Sequence, residues 1–197
     1  MQAARGTSLS SSDSTPTDPS LPPPRHPRRW MLFAATAATA YALDIGTKVL
    51  AVQQLSGRPD VEVVGSWLTL HLVRNPGAAF SMGTEYTVVL TLLAIVAATV
   101  MLYLSRTVAD RIWALGLGLA LAGVAGNLTD RMLRDPGPFR GHVIDFLRLP
   151  NWPVFNVADM CINVGIALIV IQVLRGIRRD GSLEREAGEP TTGDPDR

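Results

Sequence analysis

The chain is short of cysteine, lysine, aromatic rings and charge. Its single cysteine, Cys161, excludes a disulfide scaffold. Only 18% of its 197 residues are charged and 6% are aromatic, against about 25% charged in a soluble domain. A net charge of +1 excludes a strongly basic nucleic-acid binder. The length excludes a long multidomain enzyme. Of 18 basic residues, 17 are arginine and one, Lys48, is lysine. His26, His71 and His142 are scattered, so no cluster has metal-ligand spacing.

What is abundant is apolar, at 47% of residues, and it concentrates between residues 30 and 175. The ends are polar. Residues 1–29 and 176–197 bury too little apolar surface to offset ordering entropy, so both read as disordered tails. Four hydrophobic stretches lie between them, at about 30–52, 86–104, 112–128 and 157–174. At about 1.5 Å per residue, each approaches the roughly 30 Å of a bilayer core. The first could pass for a cleavable signal peptide. It is too long for an ordinary apolar segment of that kind, and it holds Asp44 and Lys48, so it reads as an uncleaved span. Glycines 116, 118, 123 and 126 in the third stretch permit close helix approach. Arginines crowd the flanks expected inside, among them Arg25, Arg28, Arg29, Arg106, Arg111, Arg175, Arg178 and Arg179. Four spans then place both termini in the cytoplasm.

Two outer loops, about 53–85 and 129–156, carry most of the polar chemistry. Leu68, Leu70 and Leu72 alternate with Thr69 and His71, which predicts a short strand in a small sheet on the membrane surface. It runs into the turn signal Asn75-Pro76-Gly77.

Ionisable residues at membrane depth are costly and generally have a role. Asp44 and Lys48 share a helix face; they either pair to ease insertion or brace a site. Asn127, Asp130 and Arg131 share one side if the helix continues; they form a polar helix end or part of a site. Asn156 and Asp159 have the spacing of a capping box, a role that competes with catalysis. Asp145 sits in the apolar Val-Ile-Asp-Phe. The Pro150 and Pro153 loop can bring Asp145 and Asp159 together. Two carboxylates in a poorly solvated site share a proton, and such a pair can both activate water and protonate a leaving nitrogen. No metal or other cofactor is needed. Cys161 reads as a small core residue.

These motifs resemble the lipoprotein signal peptidases, or signal peptidase II, bacterial intramembrane aspartic proteases. Five blocks match in order. They are Asp44-Ile-Gly-Thr-Lys48, Arg74-Asn75-Pro76-Gly77-Ala78-Ala79-Phe80-Ser81, Gly126-Asn127-Leu128-Thr129-Asp130-Arg131, Val143-Ile144-Asp145-Phe146, and Phe155-Asn156-Val157-Ala158-Asp159. The resemblance implies an all-α membrane protein, with four transmembrane helices and a small periplasmic β-cradle. It implies Asp145 and Asp159 as the catalytic dyad. Asn75, Gly77, Asn127, Arg131 and Asn156 would line the site or hold substrate and dyad, and Asp44, Lys48 and Asp130 would support its geometry. The implied substrate is a prolipoprotein carrying diacylglycerol on its lipobox cysteine, cut just before that cysteine in the bacterial plasma membrane. Membrane lipids are the other expected partner, nucleic acid is not, and the protein is expected to be a monomer. Two other readings stand beside this one: a small transporter using the acids as a relay, and a scaffold in which they only cap and pair.

Overall fold

The computed structural model describes residues 29–77 and 86–184. Residues 1–28 of the tail expected at 1–29, the motif residues Ala78 to Ser81, and the end of the chain from 185 lie outside the described residues.

Four long helices and three short strands follow one another as α1 (Trp30–Leu55), β1 (Val61–Val64), β2 (Leu68–Asn75), α2 (Thr87–Ser105), α3 (Arg111–Leu133), β3 (Val143–Arg148) and α4 (Val157–Leu174). Three of them, α2, α3 and α4, are long and apolar enough to cross a membrane by length and composition. The first helix, α1, is not among these three. Its interior carries Asp44 and Lys48, and both are fully buried against the other helices. The third helix runs five residues past the apolar stretch read from sequence, because that reading stopped where polar side chains began. Those polar side chains, Asp130 among them, are held inside the protein.

Helix α3 is the centre of the bundle, packing most extensively on α4 and α1. Its glycines make this possible. A methyl on Gly123 would collide with the Ala158 carbonyl and sit 2.6 Å from Ile162. A methyl on Gly116 would sit 3.0 Å from the Gly165 carbonyl. The backbones therefore approach as close contact between small residues allows.

The sheet has the order β1-β2-β3 and is antiparallel throughout. Leu70 and Leu72 pack toward Ala51, Leu55, Ile144 and Phe146, which seats the sheet on the end of α1. An irregularity between Leu70 and Val73 interrupts the register. The alternation of the leucines ends there, as an extra residue in one strand requires. Beyond it Val73 pairs with Asp145 and Asn75 with Val143. Asp60, just before β1, lies 2.7 Å from His71 Nδ1 and 2.9 Å from Arg148 Nη2, so one carboxylate touches side chains of the other two strands.

At the opposite end, Asp110 caps α3 by accepting from Trp113 N, and also accepts from Gln172 Nε2 at 2.7 Å. The Trp113 indole donates to the Ile177 carbonyl at 2.8 Å, and Ala109 N donates to the Arg179 carbonyl at 2.9 Å. Residues 176–184, polar by composition, fold back here in turns bridged between Ile177 and Leu183.

Candidate active site

Asp145 comes from β3 and Asp159 from the first turn of α4. Both line one cleft of about 540 Å³, together with Val73, Asn75, Trp152, Phe155 and Asn163. The cleft is where the sheet meets α4.

Each carboxylate oxygen has its own donor. Asn75 Nδ2 donates to Asp145 Oδ2 at 2.8 Å, and Asn156 Nδ2 to Asp145 Oδ1 at 2.6 Å. Asn127 Nδ2 donates to Asp159 Oδ1 at 2.9 Å, and the Asn156 backbone N–H to Asp159 Oδ2 at 3.2 Å. Three asparagine amides thus hold the pair. The two competing roles of Asn156 and Asp159 coexist. Asn156 Oδ1 accepts from Asp159 N, completing the capping box, while its Nδ2 reaches the other acid. The cap that starts α4 therefore also sets the position of Asp159 relative to Asp145.

The asparagines are held in turn. Asn127 Oδ1 accepts from Lys48 Nζ at 2.9 Å and from Asn156 Nδ2 at 3.2 Å. Its amide orientation follows, since the oxygen faces donors and the nitrogen must face Asp159. Lys48 Nζ is 2.9 Å from Asp44 and 2.8 Å from Asp130, all three buried. Asp130 is also paired with Arg134 Nε and accepts from Ile144 N. Asp44 Oδ1 accepts from Ala158 N at 2.8 Å. Two carboxylates and two cations thus balance under the site, which is what a buried ionic group needs. Arg134 and the Ala158 amide were absent from the sequence reading. The i,i+4 spacing of Asp130 and Arg134 was the available signal for the first. A backbone donor leaves no signal at all.

Arg131 lies within electrostatic reach of Asp145, Asp159 and Asp130. Its Nη1 is buried with no hydrogen-bond partner among the described residues. Gly77 closes this side. Its N–H donates to Asn75 Oδ1 at 2.9 Å, which turns the Asn75 amide toward Asp145. Its φ of 118° and the Leu90 methyl 2.7 Å from a would-be Cβ both require glycine. All ten residues singled out in the sequence therefore meet in one connected region. Among the described residues, no three His, Cys, Asp or Glu side chains form a group able to hold a metal.

The two acids differ in solvation. Asp145 is 2% exposed, whereas Asp159 is half-buried. Burial pushes the Asp145 carboxyl up to about 6, the Asn75 amide opposing and the nearby Asp159 charge adding to the rise.

Comparison with known proteins gives the family. The family pattern described as signal peptidase (SPase) II matches residues 36–175. The chain is 49% identical over 161 residues to the lipoprotein signal peptidase of Mycobacterium avium, covering 82% of this chain and 88% of that one. It is 46% identical to the lipoprotein signal peptidase of Mycobacterium tuberculosis, covering 86% and 83%. It is 40% identical to that of Streptomyces griseus, covering 88% of each. A bacterial membrane enzyme solved by the in meso method has the same fold, with a TM-score of 0.67 at 23% identity over 77% of this chain and 98% of that one. A pattern matched over most of the chain, and relatives this similar across most of both lengths, place it: the chain belongs to the signal peptidase II family.

Proposed function

We propose that this protein removes signal peptides from diacylglyceryl-modified prolipoproteins, cutting just before the lipidated cysteine, with Asp145 and Asp159 as an aspartic dyad. The observation that carries the mechanism is the shared cleft. Two carboxylates from different elements line it, and all four oxygens are held by donors. Like charges so placed disfavour double ionisation, and the reactive form holds one proton between the two acids. Burial biases that proton toward Asp145, and the more solvated Asp159 is the side that meets water.

The ionised acid takes a proton from water as the oxygen attacks the scissile carbonyl. The protonated acid donates to the carbonyl oxygen and later to the leaving nitrogen. Arg131 has a spare donor beside the pair and steadies negative charge as it develops on the substrate. Asn75, Asn127 and Asn156 hold the acids in place, and Lys48 with Asp44 and Asp130 holds Asn127.

The protein sits in the bacterial plasma membrane with four spans, α1 being the fourth. The charges that lower the hydropathy of α1 face protein rather than lipid, so they do not oppose insertion as exposed charges would. Both termini lie in the cytoplasm and the cleft near the outer face. The membrane domain comprises residues 30–175, and it acts as a monomer among lipids. A transporter relay is disfavoured, because the buried acids form one network rather than a series through the bundle.

The test is cleavage of a diacylglyceryl-modified prolipoprotein by the purified protein. Wild type cuts before the modified cysteine. Asp145→Asn and Asp159→Asn, folded and inserted, lose at least a thousandfold. Cleavage by either variant at the wild-type rate would show the carboxylates to be structural.

A further inference from the structure

Asn163 is a polar side chain of the cleft that neither the dyad nor its supports use. It lies four residues after Asp159, one turn further along α4 and about 6 Å deeper along the axis. Its side chain lines the cleft together with both acids and is exposed. Met160 and Val164 beside it are exposed apolar side chains, so this edge of the cleft faces the bilayer. Asn163 Nδ2 donates one hydrogen to the Asp159 carbonyl at 2.9 Å. The other N–H has no partner among the described residues. An amide at membrane depth with a free donor carries a desolvation cost that a ligand acceptor would relieve.

We infer that Asn163 is a specificity residue that donates this N–H to an ester carbonyl of the substrate's diacylglyceryl group. The inference rests on the peptidase reading above. In that reading the scissile bond sits at the dyad and the modified cysteine directly follows it. The ester carbonyls lie a few single bonds beyond the sulfur, a reach on the order of 7 Å from the cysteine backbone. That matches the depth of Asn163 below Asp159. The acyl chains must leave toward lipid, on the side where Asn163, Met160 and Val164 lie.

The test compares two synthetic prolipoprotein peptides, one with ester-linked and one with ether-linked chains on the cysteine. The ether analogue has the same apolar bulk and lacks the carbonyls. Full-length wild type is expected to favour the ester about threefold to tenfold in kcat/KM, the worth of one hydrogen bond, expressed in KM. Asn163→Leu is expected to cleave the two equally, having lost only on the ester. Asn163→Gln, which retains an amide, is expected to restore part of the preference. A misfolded variant would lose on both substrates alike, so the ratio separates binding from folding. An undiminished ester preference in Asn163→Leu, whatever its overall rate, or no preference in wild type, would overturn the role of Asn163 while leaving the peptidase intact. Failure of wild type to cut either peptide would overturn the peptidase reading and this inference with it.

Discussion

Lys48 illustrates how much depends on a single side chain. It is buried between Asp44 and Asp130 and donates to Asn127. Lys48→Met leaves two buried carboxylates without their shared cation, a loss of about 3–5 kcal/mol. The unfolding midpoint in detergent should fall sharply. Adding Asp44→Asn should recover part of it, because one uncompensated charge is gone. Asp145 has a different signature. Its folded-state value of about 6 exceeds the ordinary 3.8. Between about pH 4 and pH 6 the folded protein holds a proton that the unfolded chain releases. Stability therefore falls as pH rises through that window and stays lost above it, by at most about 3 kcal/mol. Asp145→Asn removes this dependence. Whatever its fixed cost, the variant should gain on wild type in thermal unfolding between pH 4 and pH 7. A difference independent of pH would contradict the burial argument.

At the level of elements, the helices are set by where a side chain is forbidden. Gly123 meets the Ala158 carbonyl and Ile162 across the α3–α4 interface. Gly123→Ala must push α4 away, costing about 1–3 kcal/mol by overpacking. Since α4 carries Asp159, kcat should fall as well. Gly46 is the control, because a methyl there meets nothing within 4 Å. Gly46→Ala should raise stability by about 0.5–1 kcal/mol through helix propensity, with cleavage unchanged. Parallel melts and rates for the two variants separate packing from propensity. The α4 start shows the same coupling between element and site. Asn156→Ala removes the cap, worth about 1 kcal/mol, and also removes the Asp145 and Asn127 contacts. Its loss of cleavage should therefore greatly exceed its loss of stability.

For the whole molecule, the two ends of the bundle have separate tasks. One end gathers the sheet, the dyad and the ionic network. The other ties Arg29, Val108, Asp110, Gln172, Ile177 and Arg179 together by hydrogen bonds. In the proposed four-span topology this second end lies in the cytoplasm. Reporters fused at each terminus should both read as cytoplasmic, and one inserted between Pro150 and Pro153 should read as external. A split result would mean that α1 does not cross.

The sequence alone was enough for the family, three apolar helices and the strand at Leu68–Leu72, and it singled out ten residues that the fold brings together. Hydropathy, period and short motifs are local properties, and each of these rests on them. Composition could not settle α1, because it counts Asp44 and Lys48 without knowing that both are buried. It also ended the third helix early, since polar residues mark an end only when they face water. Whether Asn156 capped a helix or served the site was undecidable from spacing, and the fold made it do both. The positions of Arg134, the Ala158 amide and Asn163 came only from the tertiary structure. They depend on which groups from distant segments are brought within hydrogen-bond reach, and that distance is not encoded in any local pattern.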